Sequence, residues 1–124
     1  LGEECCDPYY RQAVRVSMGA VFALPIVRST DIRRDLMRLR NEHRCECWAT
    51  VLDADASLLG SIERPPRLCL LMGNEAQGLE RDLVALCDQR VTIPMRLGTD
   101  SLNVAVSAGV FLYELTRDRS ASRD

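Results

Sequence analysis

No apolar run in these 124 residues approaches the ~18 needed for a membrane-spanning helix, and no signal peptide is visible. There is no surplus of positive charge either. The formal net charge is −2, so no global basic field draws in nucleic acid, and any such contact needs a local patch. His43 is the only histidine, and no nucleophile–histidine–acid constellation forms around it; it reads as a lone surface residue. No Cys-x-x-Cys pair occurs. Cys45, Cys47 and His43 come nearest to a metal cluster, with both thiols on one strand face, but no second ligand pair stands at finger-like spacing, so no metal is expected. Gly73-x-x-x-x-Gly78 has the glycine spacing of a P-loop, but Leu79-Glu80 follow where Lys and Ser or Thr would hold phosphates and magnesium.

Six cysteines are present: Cys5, Cys6, Cys45, Cys47, Cys69 and Cys87. Cys69 lies in an apolar strand and Cys87 on the apolar side of a helix, where a free thiol behaves as a small hydrophobe. That usage fits a reducing, cytoplasmic compartment better than a disulfide framework. The chain has room for one domain with one modest core, over residues 1–117, and a polar tail over 118–124.

The elements follow from periodicity. Leu1-Gly2 ends a strand. Asp7 caps a helix with Pro8 at its first position, running to about Ser17. Pro25-Ile26-Val27 is a short extended piece. Ser29 or Thr30 caps a helix over Asp31–Asn41, whose core face is Ile32, Leu36 and Leu39. Cys45–Leu52 is a strand around Trp48 and Val51, and a loop or short helix follows near Ala54–Ser61. Arg67–Met72 is a buried strand, Leu79–Cys87 a helix, Arg90–Ile93 the last strand and Leu102–Arg117 the last helix. Strands alternating with helices predict an α/β fold, a parallel sheet with helices on its faces. Arg28, Arg33, Arg34, Arg38, Arg40 and Arg44 crowd one segment. They read either as a solvated helix face, partly neutralised by Asp31–Arg34 and Asp35–Arg38 pairs, or as a patch that tracks phosphates.

The stretch from Arg67 to Arg117 is the most informative. Two apolar strands each stop at a Gly or Pro loop, a helix follows each loop, and crevices beyond such strand ends are where open α/β sheets bind ligands. Gly73 permits a φ > 0 turn or the close approach of a ligand. Pro94 marks a strand end, and Ser101 is a plausible N-cap for the last helix. On that helix Ala105, Ala108 and Gly109 form a face without bulk, while Val104, Phe111 and Leu115 supply apolar weight.

Gly73-Asn74-Glu75-x-x-Gly78-Leu79, Ile93-Pro94-Met95 and Ser101-Leu102-Asn103-Val104-x-Val106-Ser107 resemble the second and third motifs of the SpoU (TrmH-like) branch of the SPOUT RNA methyltransferases. The segment Val14–Pro25 is similar to the stretch that precedes them, and the resemblance covers Asp7 to Arg117. It implies a SPOUT-type α/β knot, with the C-terminal helix threaded into a deep trefoil, and a homodimer with its active site near the dimer interface. It implies S-adenosylmethionine as cofactor, held against Met72, Gly73, Ile93, Met95 and Leu102. It implies methylation of a ribose 2′-hydroxyl in tRNA or rRNA, with Glu75, Ser101 and Asn103 at the reacting centre.

One departure stands out. The family's Asn-x-Gly-x-x-x-Arg segment, whose Arg helps to activate the hydroxyl, occurs nowhere in the chain, and neither does a starting Met. The chain therefore reads as lacking the N-terminal strand–helix–strand portion of the domain, and activity of these residues alone is in doubt. The alternative is a non-catalytic RNA-binding or scaffold protein that retains the knotted cofactor-binding fold. A lesser departure is Ala76, where glycine is frequent in the family.

Overall fold

The computed structural model describes residues 1–74, 76–95 and 102–117. They divide into two compact units, Leu1–Leu36 and Met37–Asp124, with the division inside a helix.

The first unit holds α1 (Arg11–Val16), a 3-10 turn (Ala20–Ala23) and the start of α2 (Ile32–His43). α1 is shorter than expected. Asp7 does not cap it: its Oδ1 accepts from Tyr9 N–H, and the helix begins only after Tyr10, without a side-chain cap. A short local turn has taken the acceptor that a helix from Pro8 would have used. Leu1-Gly2 is not a strand, although the Leu1 amino group donates to Val27 O and the Leu1 carbonyl accepts from Ser29 N–H. For α2 the cap is Asp31, which accepts from Arg34 N–H, instead of Ser29 or Thr30. Ser29 lies one step further back: its hydroxyl accepts from Asp31 N–H and donates to Asp35. Of the expected core face, Leu36 is buried and Ile32 and Leu39 are half-buried.

The second unit is a four-stranded parallel sheet, ordered β2-β4-β1-β3, built from β1 (Glu46–Thr50), β2 (Ser57–Leu58), β3 (Leu68–Leu71) and β4 (Gln89–Thr92). α3 (Arg81–Leu86) joins β3 to β4, and α4 (Val104–Thr116) follows β4. The stretch expected as a loop or short helix near Ala54–Ser61 does hold a 3-10 turn, Leu59–Ser61, but before it comes β2, a two-residue edge strand beside β4, too short for any periodicity to show.

β1 is the central strand. Cys47, Trp48 and Ala49 are all fully buried, so both faces of the sheet are covered there, as parallel sheets require. Trp48 packs with Leu59, Val91, Phe111 and Leu115 in the main core, and its indole N–H donates to Glu46 Oε1 at 2.6 Å. The other face carries the thiols: Cys47 stands in register with Cys69 of β3.

Asp88 secures the start of this arrangement. Its backbone N–H donates to Cys47 O at 2.7 Å, and its Oδ2 accepts from Cys47 N–H at 2.8 Å. Its Oδ1 accepts from Arg40 Nη2 at 2.6 Å, while Arg40 Nη1 donates to Leu86 O. One carboxylate thus joins the end of α2, β1 and the lead-in to β4. Asp88→Ala should lower unfolding stability by roughly 1–3 kcal/mol, because Cys47 N–H loses its acceptor and Arg40 its partner. Arg38→Ala, which removes only the exposed pair with Glu42, should cost less than ~0.5 kcal/mol. Urea unfolding of both variants checks the contrast.

Candidate functional site

The C-terminal ends of β1, β3 and β4 open into a cleft of about 400 Å³. Five residues expected at a cofactor site line it together: Met72 and Gly73 after β3, Ile93 and Met95 after β4, and Leu102 before α4. Thr50, Val51 and Leu52 at the end of β1 complete the wall, and Ser107 and Phe111 face it from α4. Ser107 lies within the third motif although no cofactor contact was expected of it, and the other four lie outside the motifs. The end of β1 was still legible in principle, because the strand was expected to run to Leu52 and ligands gather beyond such ends.

The loop after β3 is a tight closure. Asn74 N–H donates to Gly78 O at 3.1 Å, Gly78 N–H donates to Asn74 O at 2.8 Å, and Asn74 Oδ1 accepts from Ala76 N–H. Gly78 sits at φ +70°, in the left-handed region that favours glycine. Gly73 does not make the φ > 0 turn that was one of its two expected uses. What approaches it closely is its own loop: a Cβ there would overlap the Gly78 carbonyl carbon and Leu79 N.

Of the residues expected at the reacting centre, Glu75 and Ser101 lie outside the described residues. Asn103 is placed, and it takes the role expected of Ser101. It is the N-cap of α4, its Oδ1 accepting from Ala105 N–H at 2.9 Å and Val106 N–H at 3.4 Å. Phe111 and Leu115 are buried as expected, and Val104 lines the cleft. Among the described residues no backbone packs on the small face: Ala105 and Gly109 are exposed.

The arginine-rich segment is largely committed to structure. Arg38 pairs with Glu42 and Arg40 with Asp88, while Arg28 donates to the carbonyls of Cys5 and Cys6. Asp35, expected to pair with Arg38, accepts from Ser29 instead. The thiols around β1 are poor nucleophiles. Burial pushes Cys47 up to about 12, with Cys69, Cys45 and Asp88 adding to the effect, and burial pushes Cys87 up to about 11.

The profile of the SpoU rRNA Methylase family matches residues 1–113, and the chain belongs to that family. It is 41% identical over 120 residues to an uncharacterized tRNA/rRNA methyltransferase of Mycobacterium bovis, covering 94% of this chain and 41% of that protein. It is 37% identical over 108 residues to the 23S rRNA (guanosine-2′-O-)-methyltransferase RlmB of Escherichia coli, covering 87% of this chain and 44% of RlmB. Among solved structures it is similar to the SpoU methyltransferase AviRb from Streptomyces viridochromogenes in complex with AdoMet. The TM-score is 0.82 at 32% identity, covering 98% of this chain and 49% of AviRb. The chain thus spans under half the length of these relatives.

The close approach at Gly73 generates a stability test. Gly73→Ala should destabilise by roughly 1–3 kcal/mol, because the obstructing atoms are backbone and cannot swing aside. Gly60→Ala should be nearly neutral, since a Cβ there meets nothing within 4 Å. Equal unfolding midpoints for the two variants would contradict the loop-closure account of Gly73.

Proposed function

We propose that the protein carrying this chain is an S-adenosylmethionine-dependent RNA methyltransferase acting on a ribose 2′-hydroxyl of tRNA or rRNA. The observation that carries the reading is the convergence of Met72, Gly73, Ile93, Met95 and Leu102 on one cleft at the strand ends. AdoMet in the AviRb structure and 2′-O chemistry in the name of RlmB support it.

The lining fits the cofactor chemically. Met72, Ile93, Leu102 and Phe111 offer apolar surface to a purine and to the carbons flanking the sulfonium, and Gly73 and Gly78 bring backbone polar groups to the lining. When bound, S-adenosylmethionine supplies a methyl group already activated by its sulfonium. The task left to the chain is to hold the hydroxyl in line with that carbon and to weaken its O–H bond. Glu75, Ser101 and Asn103 are the side chains assigned to that centre. The cap geometry gives Asn103 a further part, fixing the first turn of α4 beside Leu102.

A deep C-terminal trefoil knot and a homodimer belong to the same reading. The outward side of α4 supports the dimer: Val106, Val110, Leu112 and Tyr113 are exposed on a helix that already buries Phe111 and Leu115. An apolar helix with two apolar sides suits burial on both. Among the described residues no helix is long and apolar enough to cross a membrane. The cytoplasm, where thiols stay reduced, is the location this reading gives.

Tritium transfer from labelled S-adenosylmethionine to RNA, followed by recovery of alkali-resistant dinucleotides, tests the reaction. In the protein carrying this chain, Asn103→Ala should reduce turnover roughly 10²–10³-fold, the cost of a polar contact formed fully only in the transition state. Asn103→Asp keeps an oxygen for the cap, so recovery of turnover in that variant would assign the effect to the cap and not to the hydroxyl. Cofactor and RNA binding without transfer to any RNA pool would favour the scaffold alternative. Label on a base would overturn the ribose assignment.

A further inference from the structure

All 16 basic residues of the chain are arginine, and most of those described are committed to structure. Arg28, Arg40, Arg64 and Arg67 donate to backbone carbonyls, and Arg38, Arg90 and Arg117 pair with carboxylates. Arg11 and Arg15 are not so committed, nor are Arg34, Arg44 and Arg81, but only the first two share a helix with exposed rings beside it. They are exposed, four residues apart and so on one side of α1, and no hydrogen bond or ion pair among the described residues engages either side chain. The first turn of α1 carries no acidic residue.

Beside this helix stands an exposed pair of rings. Met18 and Gly19, both with positive φ, turn the chain back after α1, and the 3-10 turn that follows returns Phe22 to Tyr9. Their centroids are 5.9 Å apart with an interplanar angle of 15°, yet Tyr9 remains 50% exposed and Phe22 67%. Two stacked rings that stay half in water leave ring surface on which a further planar group can stack. α1 is about 9 Å long, and Arg11 and Arg15 follow Tyr9 by only two and six residues.

We propose that Tyr9, Phe22, Arg11 and Arg15 form a contact surface for single-stranded RNA: a base extends the Tyr9–Phe22 stack, and the adjoining phosphates meet the two guanidiniums. Flat aromatic surface next to unpaired cationic forks is what unstacked, polyanionic RNA recognises, largely without regard to sequence. The inference rests on the RNA-methyltransferase reading for its choice of RNA. It moves the expected basic patch from α2, whose Arg38 and Arg40 are already paired, to α1.

Fluorescence anisotropy of a labelled ~12-nucleotide single-stranded RNA tests it, with cofactor affinity measured in parallel by calorimetry. Tyr9→Ala and Phe22→Ala should each weaken RNA binding roughly 5- to 100-fold, whereas Tyr9→Phe and Phe22→Tyr should retain it. Arg11→Ala and Arg15→Ala should each reduce the slope of log affinity against log salt by about 1. Cofactor affinity should stay unchanged in all of them. If the wild-type chain binds RNA and folded alanine variants bind it equally well, the surface is wrong while the functional reading stands. If the wild-type protein carrying this chain binds no RNA, both fall. If Tyr9→Ala and Phe22→Ala instead dissociate a dimer by sedimentation with RNA affinity intact, the rings are a contact between copies and the proposal is overturned.

Discussion

The cleft depends on β1 standing between β3 and β4. Because all three strands run parallel, their C-terminal ends reach the same edge, and the chain leaving each of them arrives at one place. The hydrogen bonds between Asp88 and Cys47 set the β1–β4 register at the opposite edge, and the Thr50 hydroxyl, donating to Leu71 O at 2.9 Å, ties β1 to β3 near the cleft. A one-residue slip of β1 would exchange the faces of Trp48 and Cys47, putting an indole where a thiol fits. The apolar core beneath the cleft and the position of its walls are therefore one constraint.

Much of this was legible in the sequence because the relevant signals are local. Short apolar runs marked β1, β3 and β4, the last two ending at Gly73 and Pro94, and the cleft-lining positions after β3 and β4 were named by the family resemblance. What was not legible depended on competition between neighbours. Ser101, Asn103, Asp7, Ser29 and Asp31 are all chemically able to cap a helix, and only the realised backbone shows which oxygen meets which N–H. Gly73 illustrates the same limit. Its type was informative, but the reason for it, a loop folding back on its own backbone, is a tertiary fact. β2 is two residues long and shows no pattern of its own; it is a strand because β4 offers it an edge.

Arginine does an unusual share of the tying. Arg67 reaches the carbonyl of His43, Arg64 that of Leu115 near the end of α4, and Arg40 both a carbonyl and a carboxylate. A guanidinium presents five donors in a planar fork, so one side chain can satisfy an orphan carbonyl at a helix end and hold an anion as well. Lysine is absent from the chain, and its point-charge ammonium would not reproduce the planar fork that Arg40 spreads over two acceptors. A count of positive charge consequently overstates how much of it is available to a partner.

The distribution of sulfur gives the molecule a built-in clock. Cys5 and Cys6 lie in the open, while Cys47 is sealed between strands, with Cys69 beside it in register. An alkylating reagent meets the first pair at once. It reaches Cys47 only in the intervals when β1 and β3 part and the thiol regains an ordinary acidity. The slow phase of labelling thus times the opening of the central strand, the same event that would dismantle the cleft, with the fast phase as its internal standard.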